Sequence, residues 1–485
     1  MTSSLDAVCR FDWRFLLPDA RPRLVAILDD EDDPGTNVGA DLAGVEIVRP
    51  DEAPVGSVDV AVVRSSSDGA VQRAATLRAP DGVLVVEARS SIQRRKVARQ
   101  LRETGLDVRH YGCWPTCATA TRFVPLGDRV QMLVSARAAK NRRRRAVATL
   151  LTRLGLGALV FRQSMSVATA PGRPHAPSPL RVASGDDDGV ETGSMTLLTP
   201  RFGTSRHVIA LVVGDSGEMR VAKTSRIPGD DEQLAAEARG LTSVSGSRPL
   251  RPSLLSDTER FGQRWVVQTG IEGQPLTRRD VVDDPDRWLA AADGWLADMP
   301  RGERSAPDQD GRRSRLLDPA LEVLARCADL APELRPLADD AERAVDRVAG
   351  LALPMCAEHG DFRPPNLVVT ATGALAAVDW ELAEPNGFPL YDLTFFHMFV
   401  TDVVPHVGAT LAEHAAKALE RDGLDPDLVA PLGTVCALRQ IAHVVDRRSD
   451  TIAELATGLA DSDVARAWFG ALGARPSQPV RGVPR

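Results

Sequence analysis

His359-Gly360-Asp361-Phe362-Arg363-Pro364-Pro365-Asn366 runs into the apolar stretch Leu367-Val368-Val369. After a turn at Thr372-Gly373, a second apolar stretch, Ala376-Ala377-Val378, ends on Asp379-Trp380-Glu381. An acid opens a short loop, an amide follows five residues later, and a second acid stands at the end of the second strand. That set suits phosphoryl transfer. One carboxylate accepts or steers the proton of an attacking hydroxyl, while an amide oxygen and a second carboxylate hold the magnesium that bridges the nucleotide phosphates. Asp361 is then the candidate base, and Asn366 and Asp379 are the candidate metal ligands. Two apolar strands joined by a tight turn read as a β-hairpin, so rigid elements fix all three residues. A plain hairpin with a buried His-Asp turn would leave the amide and the final acid unexplained.

The segment resembles the catalytic loop and metal-binding segment of the aminoglycoside phosphotransferase and choline kinase family, whose pattern is H-G-D-x-x-x-x-N, an apolar strand, and D-W/F-E. Pro389-Leu390-Tyr391-Asp392-Leu393 is similar to that family's downstream P-x-x-D-L. The resemblance implies a two-lobed, α+β protein-kinase-like fold, ATP and Mg2+ as cofactors, and a small hydroxylated acceptor such as an aminoglycoside, sugar or amino alcohol. Arg363, two residues after Asp361, is a candidate to sit near the transferred phosphoryl group and offset its charge.

Elements upstream must carry the nucleotide. Met195–Thr199, Val208–Val213 and Arg220–Lys223 read as three strands. The turn Phe202–His207, containing Gly203 and Ser205, corresponds by resemblance to a nucleotide-covering hairpin, although one glycine is a weak signal by itself. Lys223 ends its strand, and Glu237 follows fourteen residues later on a helical run whose buried face is Leu234, Ala238 and Leu241. Such a pair can hold an ammonium against the α- and β-phosphates; apart from the 359–381 motif the two would read as a surface lysine and a solvated acid. Arg264–Gly270, with Gln268 and Gly270 near its end, resembles the family's adenine-binding connector. Trp288, Leu289, Ala292, Trp295 and Leu296 recur at helical spacing and read as core. Farther on, Asp402, Asp425, Asp427 and Arg439 read as surface charges.

The first 135 residues have a different pattern. Arg23–Leu28, Val45–Val48, Val58–Val63 and Gly82–Glu87 are short apolar strands alternating with helical patterns, which argues for a parallel α/β sheet. Leu77-Arg78-Ala79-Pro80-Asp81-Gly82-Val83-Leu84-Val85 resembles a strand of class I S-adenosylmethionine methyltransferases, and a Rossmann-like fold is implied. The first strand, however, is followed by Asp29-Asp30-Glu31-Asp32-Asp33-Pro34-Gly35 rather than a glycine-rich turn. Five acids would repel the cofactor's carboxylate, and only Gly35 and Gly39 remain to allow close approach. The expectation is a domain that keeps the fold and has lost methyl transfer.

Between these parts, residues 136–191 read as a connector: a basic helix at Arg142–Arg145 with an apolar face, then the proline-rich Pro171–Pro179. The helix offers weak contact with an anionic membrane surface, although packing of one face on a domain is the plainer reading. The expected division is 1–135, Rossmann-like; 136–191, linker; 192–475, kinase-like; and 476–485, a disordered Pro/Arg-rich tail.

Composition bounds the rest. Of 485 residues, 43% are hydrophobic and 26% charged, the balance of a soluble protein, and a net charge of −7 argues against general nucleic-acid binding. Six scattered cysteines read as buried thiols of a cytoplasmic protein; Cys113 and Cys117 lack the further ligands of a zinc site. No apolar run suits a signal peptide or a membrane span. Two rival readings remain: a pseudokinase-type nucleotide-binding module, opposed by the presence of Lys223, Glu237, Asp361, Asn366 and Asp379 together, and an active methyltransferase with an accessory kinase, opposed by the acidic loop.

Overall fold

The computed structural model describes residues 7–28, 34–64, 69–137, 142–172, 176–185, 193–201, 206–214, 216–244, 246, 249–404, 410–448 and 451–461. The acidic run 29–33, the turn containing Gly203 and Ser205, and the 476–485 tail lie outside these residues. The chain divides into two compact units, residues 1–235 with 253–270, and residues 236–252 with 271–485.

The first unit is built on one twelve-stranded sheet. Its strands are β1 (Leu24–Leu28), β2 (Glu46–Val48), β3 (Val58–Val63), β4 (Arg78–Ala88), β5 (Asp107–Trp114), β6 (Arg122–Pro125), β7 (Gln163–Thr169), β8 (Ser194–Leu198), β9 (His207–Val213), β10 (Met219–Ser225), β11 (Leu254–Arg260) and β12 (Gln263–Thr269). The order is β11-β12-β10-β9-β8-β6-β5-β7-β4-β3-β1-β2. Strands β1 to β4 pair in parallel, and β7 lies antiparallel between β4 and β5. Three helices follow parallel strands: α1 (Pro34–Ala43), α2 (Ala70–Leu77) and α3 (Ser91–Glu103). In β3, Val60 and Val62 join one buried cluster while Ala61 and Val63 join another, so both faces of this strand are covered. The apolar run Val60–Val63 is the signature of such a strand.

The expected connector is not a linker. Gln163–Thr169 forms the nearly wholly buried strand β7 inside the sheet, and Ser178–Ser184 forms a short helix. Alternating serines made the strand look polar. Ser164 and Ser166 are buried, and Ser166 Oγ bonds His110 Nδ1 at 2.8 Å. The boundary expected between 136 and 191 also disappears, because β6 pairs with β8 through Arg122↔Leu198 and Phe123↔Leu197. The N-terminal segment is bound to the same unit: Arg226 Nε lies 3.1 Å from both carboxylate oxygens of Asp12, and all these side chains are buried. Burial raises the Asp12 pKa, with Arg226 and Arg14 opposing the rise, and lowers that of Arg14 to about 10.

The basic helix exists, as α4 (Arg142–Arg153). Only part of its apolar surface is covered: Val147, Leu150 and the following Leu154 are exposed. All six cysteines are buried free thiols, as expected.

The second unit is mainly helical. Its helices include α5 (Pro285–Ala297), α6 (Asp318–Leu330), α7 (Arg335–Ala349), α8 (Tyr391–Val403), α9 (Leu411–Arg421), α10 (Val429–Arg448) and α11 (Ile452–Asp461). Trp288, Leu289, Ala292, Trp295 and Leu296 are buried in α5, as their spacing predicts. Two small sheets accompany the helices. One has the order β13-β16-β17, formed by Gln274–Pro275, Leu367–Val369 and Leu375–Ala377. The other has the order β14-β15-β18, formed by Arg301–Ser305, Leu353–Glu358 and Glu384–Gly387. Arg312, fully buried, holds the second sheet: its guanidinium donates to the carbonyls of Ser305, Leu353, Pro354 and Gly387 at 2.7–3.1 Å and pairs with Asp310.

Candidate active site

The loop 359–366 leaves β15 and enters β16. Its sharp exit needs glycine: Gly360 has φ +84°, and a Cβ there would lie 2.1 Å from the Leu382 carbonyl oxygen. Behind the turn the backbone is held by Asp392, at the start of α8. Its two carboxylate oxygens accept from His359 N at 2.6 Å and Gly360 N at 3.0 Å. His359 sits against Trp380, ring centroids 4.8 Å apart, and Phe362 stacks on Trp295 at the same separation. The imidazole bridges the hairpin: Nε2 lies 3.0 Å from the Val378 carbonyl, and Nδ1 lies 3.3 Å from Asp361 N. An Nε2–H tautomer satisfies both, donating to Val378 and accepting from Asp361.

Asp361 is held from both sides. Asn366 Nδ2 donates to its Oδ2 at 2.9 Å and to its backbone oxygen at 3.1 Å. Arg363 Nε lies 2.6 Å from Oδ1, and Arg363 Nη2 donates to Oδ2 at 3.2 Å. The carboxylate is 7% exposed, the Arg363 side chain 41%. Val378 N donates to the Asn366 carbonyl at 2.9 Å, extending the Leu367↔Ala377 register and leaving Asp379 one residue beyond that pair. Asp379 has φ +72°, a left-handed conformation that Asp tolerates better than most side chains. Asp361, Arg363 and Asn366 are therefore brought together, and Asp379 stands one residue beyond Val378, which pairs with Asn366. An amide oxygen and a carboxylate at one end of a hairpin fit an oxygen-preferring dication such as Mg2+.

Behind the loop lies a buried charged pair that the sequence reading missed. Arg439, on α10, lies 2.6 Å from Glu358 Oε1, both nearly fully buried, with Phe388 N donating to the same oxygen. The guanidinium also stacks over Tyr391, 4.1 Å from its centroid. The expectation of a surface charge at 439 is corrected: helix periodicity turns this position inward, and the carboxylate and aromatic rings offset its desolvation. Asp402, Asp425 and Asp427 are exposed, as expected. Burial raises the Glu358 pKa, with Arg439 opposing the rise. Burial, then the neighbouring Glu358, pushes Asp392 up to about 7.

The residues expected to hold the nucleotide divide between the units. In the first, Lys223 on β10 is 4% exposed and pairs with Val266 of β12; Gln268 lies two residues along β12, so both side chains occupy the same sheet face. Gly270 N continues the ladder to the Met219 carbonyl at 2.7 Å. In the second, Glu237 is fully buried beside Leu234, Ala238 and Leu241 on the helix Glu232–Ser243, in which the unit boundary falls. Glu237 is thus not the solvated acid it would have read as apart from the 359–381 motif.

Residues 199–426 match the model of the phosphotransferase enzyme family. Among solved structures, the chain is similar to the GDP and kanamycin complex of APH(2")-IIia, at 16% identity over 60% of this chain and 98% of that one, with a TM-score of 0.40. It is also similar to macrolide 2'-phosphotransferase MphH from Brachybacterium faecium, at 18% identity over 62% and 98% of the chains, with a TM-score of 0.36. A third is aminoglycoside phosphotransferase APH(3'')-Id from Streptomyces rimosus, at 18% identity over 54% and 96%, with a TM-score of 0.35. No curated protein matches the chain. Among the described residues, no helix is long and apolar enough to cross a membrane.

Proposed function

We propose that the C-terminal part is an ATP-dependent O-phosphotransferase for a small hydroxylated metabolite, of the aminoglycoside, sugar or amino alcohol class. The observation that carries this reading is the Asp361 carboxylate, fixed by Asn366 on the hairpin that also presents Asp379. Asp361 takes the acceptor hydroxyl's proton as the new P–O bond forms and the bond from the γ-phosphorus to the bridging oxygen breaks, releasing ADP. Asn366 and Asp379 hold Mg2+, which when bound neutralises phosphate charge. Arg363, anchored on Asp361 and still partly exposed, offsets charge on the transferred group. Lys223, with Gln268 and Gly270 on the neighbouring strand and its end, holds the nucleotide, the ammonium meeting its phosphates. The test is a screen of hydroxylated metabolites with ATP and magnesium, read as ADP release and phosphorylated product. Absence of any phosphorylated product across these classes would count against it.

For the N-terminal part the reading is a Rossmann-like, methyltransferase-like domain without methyl-transfer activity. It is supported by the parallel order β2-β1-β3-β4, which belongs to doubly wound α/β sheets.

A further inference from the structure

We propose that Asp293, His397 and His414 bind one zinc-class divalent cation, tying together three helices of the second unit. Asp293 lies on α5, His397 on α8 and His414 on α9, and one ligand atom from each lies within 4.8 Å of the others. His414 Nδ1 is in direct contact with Asp293 Oδ2, and His397 Nε2 lies 4.0 Å from Asp293 Oδ1. The two imidazole centroids are 5.0 Å apart. His397 is the informative member. Its side chain is 1% exposed, and neither ring nitrogen has a hydrogen-bond partner; Asp293 Oδ1 is likewise buried without one. His397 Nε2 and Asp293 Oδ1 face each other at 4.0 Å with no hydrogen-bond partner, which is costly in a protein interior unless something accepts their lone pairs.

The donor set selects the ion. Imidazole with one carboxylate suits zinc and neighbouring first-row metals, while magnesium and calcium prefer oxygen alone. Two histidines and one carboxylate are a three-ligand zinc set that leaves one coordination position open. Asp293 and His414 line a cavity of about 70 Å³, room enough for water at that position. Lys417 and Arg421 also face the cavity, and Lys417 is drawn aside by Glu413 at 2.7 Å. The separation of Asp293 from the two histidines in sequence explains why no local spacing signals the site.

The experiment uses the full chain, stripped with chelator, dialysed, and titrated with zinc chloride by calorimetry, with bound metal measured by mass spectrometry. We expect about one equivalent of zinc and a raised thermal midpoint, with cobalt(II) giving visible bands from the same site. His414→Ala and Asp293→Asn should each weaken binding at least about tenfold, the scale reached even when only outer partners of a metal site are removed. Asp379→Asn should leave it unchanged, which separates this site from the magnesium site. His414 is partly exposed, so its replacement should fold; circular dichroism checks this, and the wild-type stoichiometry stands without any variant. Substoichiometric zinc on the wild-type chain, or affinity equal in wild type and both ligand variants, would overturn the proposal.

Discussion

Arg439 Nη1 meets Glu358 Oε1 at 2.6 Å across 81 residues of sequence, with both side chains at most 4% exposed. The same carboxylate receives Phe388 N, and Gly387 leaves it room, since a Cβ there would lie 2.0 Å from Glu358. The pair therefore fixes the end of β15, from which the catalytic loop departs. Replacing Arg439 by Met would strand a buried carboxylate and should cost about 3–5 kcal/mol. Adding Glu358→Gln should restore part of this. Urea unfolding of the single and double variants measures both; a loss below about 1 kcal/mol for the single change would remove the pair from the account.

Asp392 gives the loop a pH dependence. Its pKa rises from the ordinary 3.8 to about 7 on folding, so between those values the folded chain holds a proton that the unfolded chain has released. Stability from this group is fully present below 3.8 and is lost as pH rises toward about 7. The stability difference between wild type and Asp392→Asn should therefore shrink from pH 5 to 7 and level off above it, as about the reach of this single titration. A difference independent of pH would show that Asp392 is ionised throughout.

Lys223 is buried on a strand, where an ammonium needs a charged partner. Lys223→Met keeps the stem and removes the charge. The expectation is a KM for ATP raised by about tenfold or more, from loss of a charge-assisted phosphate contact, with the thermal midpoint little changed. Unchanged ATP kinetics would separate Lys223 from the nucleotide.

Five acids at positions 29–33 follow β1, where a cofactor's carboxylate would need to approach. The full chain should therefore show no S-adenosylmethionine binding at micromolar concentrations. Calorimetry decides, and a micromolar dissociation constant would restore the methyltransferase reading.

Much of this was legible in the sequence because the signals were local. The loop 359–366 and its hairpin declare themselves within about twenty residues, and β1, β3, β9 and β12 each contain an apolar run, at Leu24–Leu28, Val60–Val63, Val208–Val213 and Trp265–Val267. Strand β7 was hidden because serines, Ser164 and Ser166, alternate with its buried apolar residues, and β11 because alternating charges are what an edge strand shows to water. Arg439 with Glu358, and Asp293 with His397 and His414, could not be read, since each depends on helices meeting after folding. Asp392 was visible as part of a family pattern, but its role of fixing His359 and Gly360 emerged only from geometry.

The central claim is that Asp361 is the base and Asp379 a metal ligand. Asn tolerates the left-handed backbone at 379 and matches both side chains in shape, so each change removes a charge with little disturbance. The decisive measurement is turnover of Asp361→Asn with an identified acceptor, beside nucleotide affinity with and without magnesium for both variants. The account predicts that Asp361→Asn loses about a hundredfold or more in kcat while retaining magnesium–ATP affinity, whereas Asp379→Asn loses the magnesium-dependent part of that affinity. Near-normal turnover of Asp361→Asn, or loss of metal binding alone in both variants, would contradict it.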